Sequence, residues 1–351
     1  MSSLHNDYPW TTHSGPIVVS APMLKIALAP LAVSVSAAGG IGFLAGGFAS
    51  PELTQHLAEA AELVKASNIP LHNGLLPIGL GFLSWGTDRE VALKALQQYP
   101  VAAVWSFAPY QLSDLLEWSK AVRQISDNKT RIWVQVGTVA EAVEVAKTTK
   151  PDVLVVQGSD SGGHGLSQRA SLMTLLPEVR DVFKKEGIEG IPLVASGGII
   201  DGRGAAAALA LGADGVCLGT RFLASSEVSI AKGYQDEVLR AGDGGVSTVA
   251  STIYDKVRGY RDWPQSYAAR GVANRTFLDA VHGMSEDENI AMYEEATKLG
   301  DSGWGPEGRM TTYAGTGVGL VKAVSPAGEI VKSIRKEALE VLQKSASRFQ
   351  V

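Results

Sequence analysis

With 351 residues, 45% of them hydrophobic, the chain can bury a large core in one domain or in a domain with an insertion. Its formal net charge is −5, from 31 Lys and Arg against 36 Asp and Glu, and it contains no basic run, so no nucleic-acid partner is expected. The single cysteine, Cys217, excludes an intrachain disulfide and fits a reducing, cytoplasmic setting.

The opening residues, Met1 to Trp10, lack a basic region followed by an apolar one, so no secretory signal is expected. The apolar stretch 17–48 is broken by Pro22, Lys25, Pro30 and several glycines. It reads as strand–helix–strand, with strands at 17–21 and 41–45, and not as a membrane span. A helix over 51–66 follows, with Leu53, Leu57, Ala60, Ala61 and Val64 at helical spacing and Ser50 as N-cap before Pro51. Apolar runs at 78–82, 102–107, 131–136, 153–157, 192–195 and 215–218 read as strands buried on both faces, as in parallel sheets. Helical patterns at 88–98, 112–125, 139–147 and 205–211 lie between them, and Thr138 with Glu141 matches a capping box. Eight strands alternating with helices within about 200 residues predict an α/β fold, a (β/α)8 TIM barrel. A doubly wound open sheet is the alternative.

From 224 to 311 the rhythm changes, in a segment too long for an ordinary loop. It reads as a largely helical insertion, or cap, after strand eight and over the barrel mouth. Its aromatics Tyr254, Tyr260, Trp263, Tyr267 and Trp304 either line a pocket or form the small core of the cap. The barrel itself then comprises 15–223 and 312–351, closed by an amphipathic helix over 327–345. The last residues, 348–351, carry no recognisable targeting signal.

Two glycine loops carry the chemistry. The run Val155-Val156-Gln157 ends in Gly158-Ser159-Asp160-Ser161-Gly162-Gly163-His164-Gly165, where backbone must approach something closely. A histidine at such a strand end is placed for proton transfer near neutral pH, or else is a solvated residue in a tight turn. Further on, Ala195-Ser196-Gly197-Gly198-Ile199 and Cys217-Leu218-Gly219-Thr220 each end a strand. In an α/β barrel the loops after strands seven and eight usually bind phosphate through free amides. Neither loop is a Walker motif or a dinucleotide fingerprint. Cys217, inside an apolar strand, reads as a buried structural thiol. His5, His13, His56, His72 and His282 lack a glycine-loop context and show no metal-ligand spacing, so no metal site is expected. Ser159 and Ser161 lie in no nucleophile elbow. Asp160 could orient His164 or simply cap the loop.

Three separated motifs resemble those of the nitronate monooxygenase (2-nitropropane dioxygenase) family, FMN-dependent TIM-barrel enzymes. They are Pro16-Ile17-Val18-Val19-Ser20-Ala21-Pro22-Met23 with Ala38-Gly39-Gly40-Ile41-Gly42 after it, the histidine loop, and Ala195-Ser196-Gly197-Gly198-Ile199 with Leu218-Gly219-Thr220. They occur in family order over residues 15–222. The resemblance implies that Ala21 and Met23 lie beside the flavin, and that Gln157 and Gly162, with Gly163 adjacent, contact it. It implies phosphate contacts from the amides of Gly198, Cys217, Leu218, Gly219 and Thr220, and His164 as the catalytic base. It implies oxidation of alkyl nitronates with O2 to a carbonyl compound and nitrite. Two departures bear on the substrate. The family commonly has Glu-Ala where this chain has Asp160-Ser161, and often an asparagine at the end of strand three, which here reads Gly79-Leu80-Gly81-Phe82. In a barrel both positions are expected to face the site.

The nearest rival shares the Gly-Gly-His loop: an FMN-dependent NAD(P)H enoyl-thioester or quinone reductase. A non-catalytic flavin-binding protein and a flavin-free barrel acting on a phosphorylated sugar are further alternatives. The partners expected are a small-molecule substrate and O2, with no nucleic acid and no membrane; a homodimer is compatible with the chain.

Overall fold

Each apolar run becomes a strand because valine, isoleucine and tryptophan fit a pleat buried on both sides. The computed structural model describes residues 3–11 and 15–348; His13 lies outside them. In chain order the strands are β1 (Ile17–Ser20), β2 (Ile41–Gly47), β3 (Leu76–Leu83), β4 (Val101–Phe107), β5 (Arg131–Val136) and β6 (Val153–Gln157), then β7 (Gly163–Leu166), β8 (Leu193–Ser196), β9 (Gly215–Leu218), β10 (Thr248–Ser251) and β11 (Tyr267–Val272). The first six, with β8 and β9, close in the order β1-β2-β3-β4-β5-β6-β8-β9. All neighbours in that ring are parallel, and β9 pairs back onto β1 with Ile17 opposite Gly215 and Ser20 opposite Leu218. The fold is therefore a TIM barrel; closure excludes the open sheet.

Alternation along the strands sorts the side chains into two layers. Ile17, Val19, Phe43, Trp105, Trp133 and Cys217 pack inside the barrel, while Val18, Leu44, Val104, Val134, Val216 and Leu218 pack outward against the helices. Trp105 and Trp133 stack at 5.9 Å, and Phe43 meets Trp105 edge-on at 5.1 Å. Gly79 makes room for this cluster, since a Cβ there would come within 2.2 Å of the Phe43 ring.

The N-terminal helix Ser3–Asp7 and the turn after it close the inner core from one end. Leu4 and Tyr8 are fully buried with the interior cluster. The Trp133 indole N–H donates to the Tyr8 hydroxyl at 2.6 Å, and Trp10 donates to the Gly40 carbonyl at 2.9 Å. Tyr8→Phe leaves that buried indole donor without a partner. It should cost about 1–2 kcal/mol, read as a lower urea midpoint at unchanged slope. An unchanged midpoint would show that this contact adds nothing to stability.

Two capping expectations need correction. The helix Leu53–Ala66 starts later than Pro51, and Ser50 is not its N-cap; its carbonyl accepts the Leu53 N–H, because residues 51 and 52 turn before the helix begins. At the helix Val139–Thr148, Thr138 accepts the Glu141 N–H at 3.1 Å, but the Glu141 carboxylate reaches back to the Gly137 N–H at 2.9 Å, one residue earlier than a capping box requires.

Residues 224–311 hold the helices Lys232–Arg240, Gly244–Ser247, Ile253–Val257, Arg275–Val281 and Glu286–Lys298. They also hold β10 and β11, which pair with each other and, through β11, with β7 in an antiparallel sheet of order β10-β11-β7. His164 thus lies in a strand, opposite Ala269. Among the described residues no helix is long and apolar enough to cross a membrane, and no group of three His, Cys, Asp or Glu could hold a metal ion.

Candidate active site

A cavity of about 880 Å³ opens at the C-terminal ends of the barrel strands. Ala21, Phe107, Gln157, Ser196 and Gly219 line it from strand ends on several sides of the ring. Asp255, Tyr260, Trp263, Tyr293 and Trp304 line it from the segment after β9. In a TIM barrel this is the face that carries chemistry.

Two glycine loops shape one wall. After β8, Gly197 and Gly198 take φ of +110° and +75°, a region that a residue with a Cβ enters only at a cost. After β9, Gly219 has an ordinary φ of −108°. A Cβ on Gly219 would meet nothing nearer than Ala21 Cβ and Met23 Sδ, both at 3.8 Å, so beyond it lies the cavity. The helix Gly202–Ala210 offers no amides to this wall from its first turn, because its N-cap Asp201 already accepts the Arg203 and Gly204 N–H groups.

A second part of the lining centres on His164. Its Nε2 lies 2.9 and 3.0 Å from the two carboxylate oxygens of Asp255, a residue only 4% exposed. A carboxylate can only accept here, so Nε2 carries the proton. Nδ1 has no hydrogen-bond partner among the described residues. The Trp263 indole stacks on the imidazole, with centroids 3.7 Å apart and planes within 5°. The Tyr313 hydroxyl donates to Asp255 Oδ1 at 3.0 Å, and Arg258 donates to the Tyr313 oxygen at 3.0 Å. Burial holds the Tyr313 phenol well above its ordinary value, so it remains a donor.

The backbone of the histidine loop is braced separately. Gln157 Nε2 donates to the His164 carbonyl at 3.1 Å. Arg169 donates to the carbonyls of Gly158 and Leu166 and, at 2.8 Å, to Ser161 Oγ. Burial, with the nearby charge of Arg270, brings the Arg169 guanidinium down to about 10. The tail 313–317 presses on the loop from the other side: a Cβ on Gly162 would stand 2.4 Å from the Gly315 nitrogen.

Comparison with known proteins gives this barrel its relatives. A family model described as nitronate monooxygenase matches residues 115–337, well over half of the chain. The nitronate monooxygenase npaC of Metarhizium robertsii is 48% identical over 97% of this chain and 95% of that protein. The chain belongs to the nitronate monooxygenase family. A second family member, the nitronate monooxygenase of Neurospora crassa, is 36% identical over 98% of this chain and 94% of its own length. Two solved structures share the fold over nearly the whole chain. FabK from Thermotoga maritima has a TM-score of 0.75 at 22% identity, covering 99% of both chains. A nitroalkane oxidase from Streptomyces ansochromogenes has a TM-score of 0.73 at 23% identity, covering 98% of this chain and 100% of its own.

In this nitronate monooxygenase family member, the residues singled out from the sequence mostly meet at one place. Ala21, Met23, Gln157, Gly162, Gly163, His164, Gly198, Cys217, Gly219 and Thr220 all line the cavity. Leu218 does not; alternation along β9 sends its side chain outward into the layer under the helices, and its carbonyl accepts the Ala21 N–H. Thr220 Oγ1 is already engaged by the Gly315 N–H at 2.9 Å. Cys217 is 1% exposed, and burial pushes its thiol up to about 12, as a structural thiol requires. Of the Asp160-Ser161 pair expected to face the site, Ser161 lines the cavity and Asp160 does not. Its Oδ1 accepts from Thr316 Oγ1 at 3.0 Å and its carbonyl accepts the Thr316 N–H, so it latches the tail and does not orient His164. Gly81 does line the cavity at the end of β3, against Pro22.

Sequence reasoning missed Asp255, Arg258 and Tyr313. Asp255 lies 91 residues from His164 and Tyr313 lies 58 residues from Asp255, so no local spacing links them. The aromatic run around Tyr254, Tyr260 and Trp263 was the available signal.

Proposed function

We propose that this chain is an FMN enzyme that oxidises alkyl nitronates with O2 to a carbonyl compound and nitrite, with His164 as the base that accepts the α-proton when a neutral nitroalkane is the substrate. The observation that carries this reading is the meeting of His164 and two glycine loops around one largely apolar cavity at the C-terminal ends of the barrel strands.

The cavity fits the cofactor on physical grounds. Its volume of about 880 Å³ exceeds the need of a single small ligand. The side of Gly219 is open to the cavity, and the left-handed turn at Gly197 and Gly198 lines the same cavity, an arrangement of backbone that suits a phosphate group. Ala21 and Met23 supply an apolar face for a flat ring, and Gln157 and Gly162 line the same cavity. In this reading Gly198, Cys217, Gly219 and Thr220 hold the phosphate end through main-chain amides. FMN, when bound, supplies the path for electrons from the nitronate to O2.

The chain's own residues do the rest. Leu83, Phe107 and Trp263 give the substrate end of the cavity an apolar lining that suits an alkyl group and excludes water. The imidazole lies at the cavity wall with Nδ1 free to take a proton. A chain with a single cysteine is compatible with the reducing, cytoplasmic setting proposed for it.

Purified protein should release FMN on heating, identified by mass. It should consume O2 and form nitrite when given ethyl nitronate. Protein that neither carries nor binds FMN, or that forms no nitrite, would remove this reading.

A further inference from the structure

We infer that Asp255 is the positioning residue that fixes His164 as the Nε2–H tautomer and so makes Nδ1 the atom that accepts the substrate proton. The inference rests on the proposed function and adds a residue that neither the glycine motifs nor the loop around His164 supply.

The geometry is specific. Both Asp255 oxygens lie within 3.0 Å of Nε2, so rotation of the carboxylate does not lose the contact. The carboxylate is buried, and its second donor is a phenol that burial keeps protonated. Arg258 donates to that phenol's oxygen and brings a positive charge within two hydrogen bonds of the carboxylate. A half-turn of the ring about Cβ–Cγ would keep the Trp263 stack but put a carbon where Nε2 now meets Asp255, so the hydrogen bond to the carboxylate selects the ring orientation. Asp255, held by Tyr313 and Arg258, therefore favours one ring orientation and one tautomer.

The step this serves is a plain proton transfer. The Cα–H bond of a neutral nitroalkane breaks, the proton passes to His164 Nδ1, and the electron pair moves into the nitro group to give the nitronate. No oxidant enters at this stage. The imidazolium so formed is balanced by Asp255 through Nε2–H. A preformed nitronate has already lost that proton and does not use the step.

Asp255→Asn separates this role from a structural one. An amide has one acceptor oxygen where the carboxylate has two, and the Tyr313 hydroxyl claims it. The amide N–H group then faces Nε2 and favours a proton on Nδ1, the wrong tautomer. With neutral nitroethane, kcat/KM should fall on the order of 100-fold, and the deuterium isotope effect on Cα–H should rise. With ethyl nitronate, kcat/KM should stay within about threefold, since no proton is taken. Equal losses on both substrates would make Asp255 a structural residue, and no loss on either would remove its role; both overturn the inference. So would a wild-type enzyme that oxidises nitronates but never neutral nitroalkanes, while leaving the proposed function standing. A wild type inactive on both sinks the proposed function instead. A second readout needs no variant and no turnover: 15N NMR of the wild-type imidazole should show Nε2 protonated and Nδ1 bare. A proton resident on Nδ1 would overturn the inference by itself.

Discussion

His164→Ala should retain bound FMN yet lose activity on neutral nitroalkane by on the order of 1,000-fold, the scale of losing a general base. The cofactor should stay because the anchoring of this residue's strand is mostly main chain. β7 pairs with β11, and the His164 carbonyl accepts from Gln157 whatever side chain the residue carries. Loss of the ring leaves the Asp255 carboxylate with Tyr313 as its remaining donor, so some local repacking of Trp263 follows. Ethyl nitronate, which needs no base, should lose far less. His164→Asn should behave alike, since an amide is no base at neutral pH. Full activity of either variant on neutral nitroethane, with flavin present, would refute the base assignment.

Gly219→Leu should abolish stable FMN binding while the barrel still folds. The backbone at 219 has φ −108° and ψ −70°, at the margin of the right-handed region and free of the positive-φ penalty that a side chain would meet at Gly198. Its Cβ would find nothing nearer than 3.8 Å. The rest of the side chain must then project beyond Ala21 and Met23, into the space assigned to the cofactor. If it displaces two amide contacts to a charged phosphate, at about 1.5–3 kcal/mol each, affinity falls on the order of 100-fold or more. Gly219→Ala is the control, small enough to leave flavin in place. Circular dichroism should match wild type for both variants, and the visible absorbance should be lost only in the leucine one. Undiminished flavin content in Gly219→Leu would place the phosphate elsewhere.

The barrel was legible because its strands are buried on both faces. Most read as near-continuous apolar runs, as at 153–156, and burial of those runs is what the fold requires of them. The three strands of the small sheet gave no such signal. Gly163–Leu166 and Thr248–Ser251 are short, with small or polar residues, and exist by pairing with Tyr267–Val272. The helix Leu172–Lys185 is harder to read because Pro177 interrupts its pattern.

The site divides along the same line. Glycine loops and His164 announce themselves locally, since close backbone approach demands glycine wherever it occurs. Asp255 reaches His164 only after the segment beyond β9 folds back over the barrel, and Tyr313 only through the tail that Asp160 latches at Thr316. Asp160 itself shows the hazard of proximity: four residues from His164 in sequence, it serves the tail and not the histidine.

The central claim is that electrons enter this cavity from a nitronate. Anaerobic mixing of the purified protein with ethyl nitronate, and separately with NADPH or NADH, followed by stopped-flow absorbance, tests it most directly. The flavin band should bleach with nitronate alone and stay unchanged with either nicotinamide. Rapid bleaching by NADPH or NADH, with nitronate inert, would contradict it and place this chain's chemistry with the reductases.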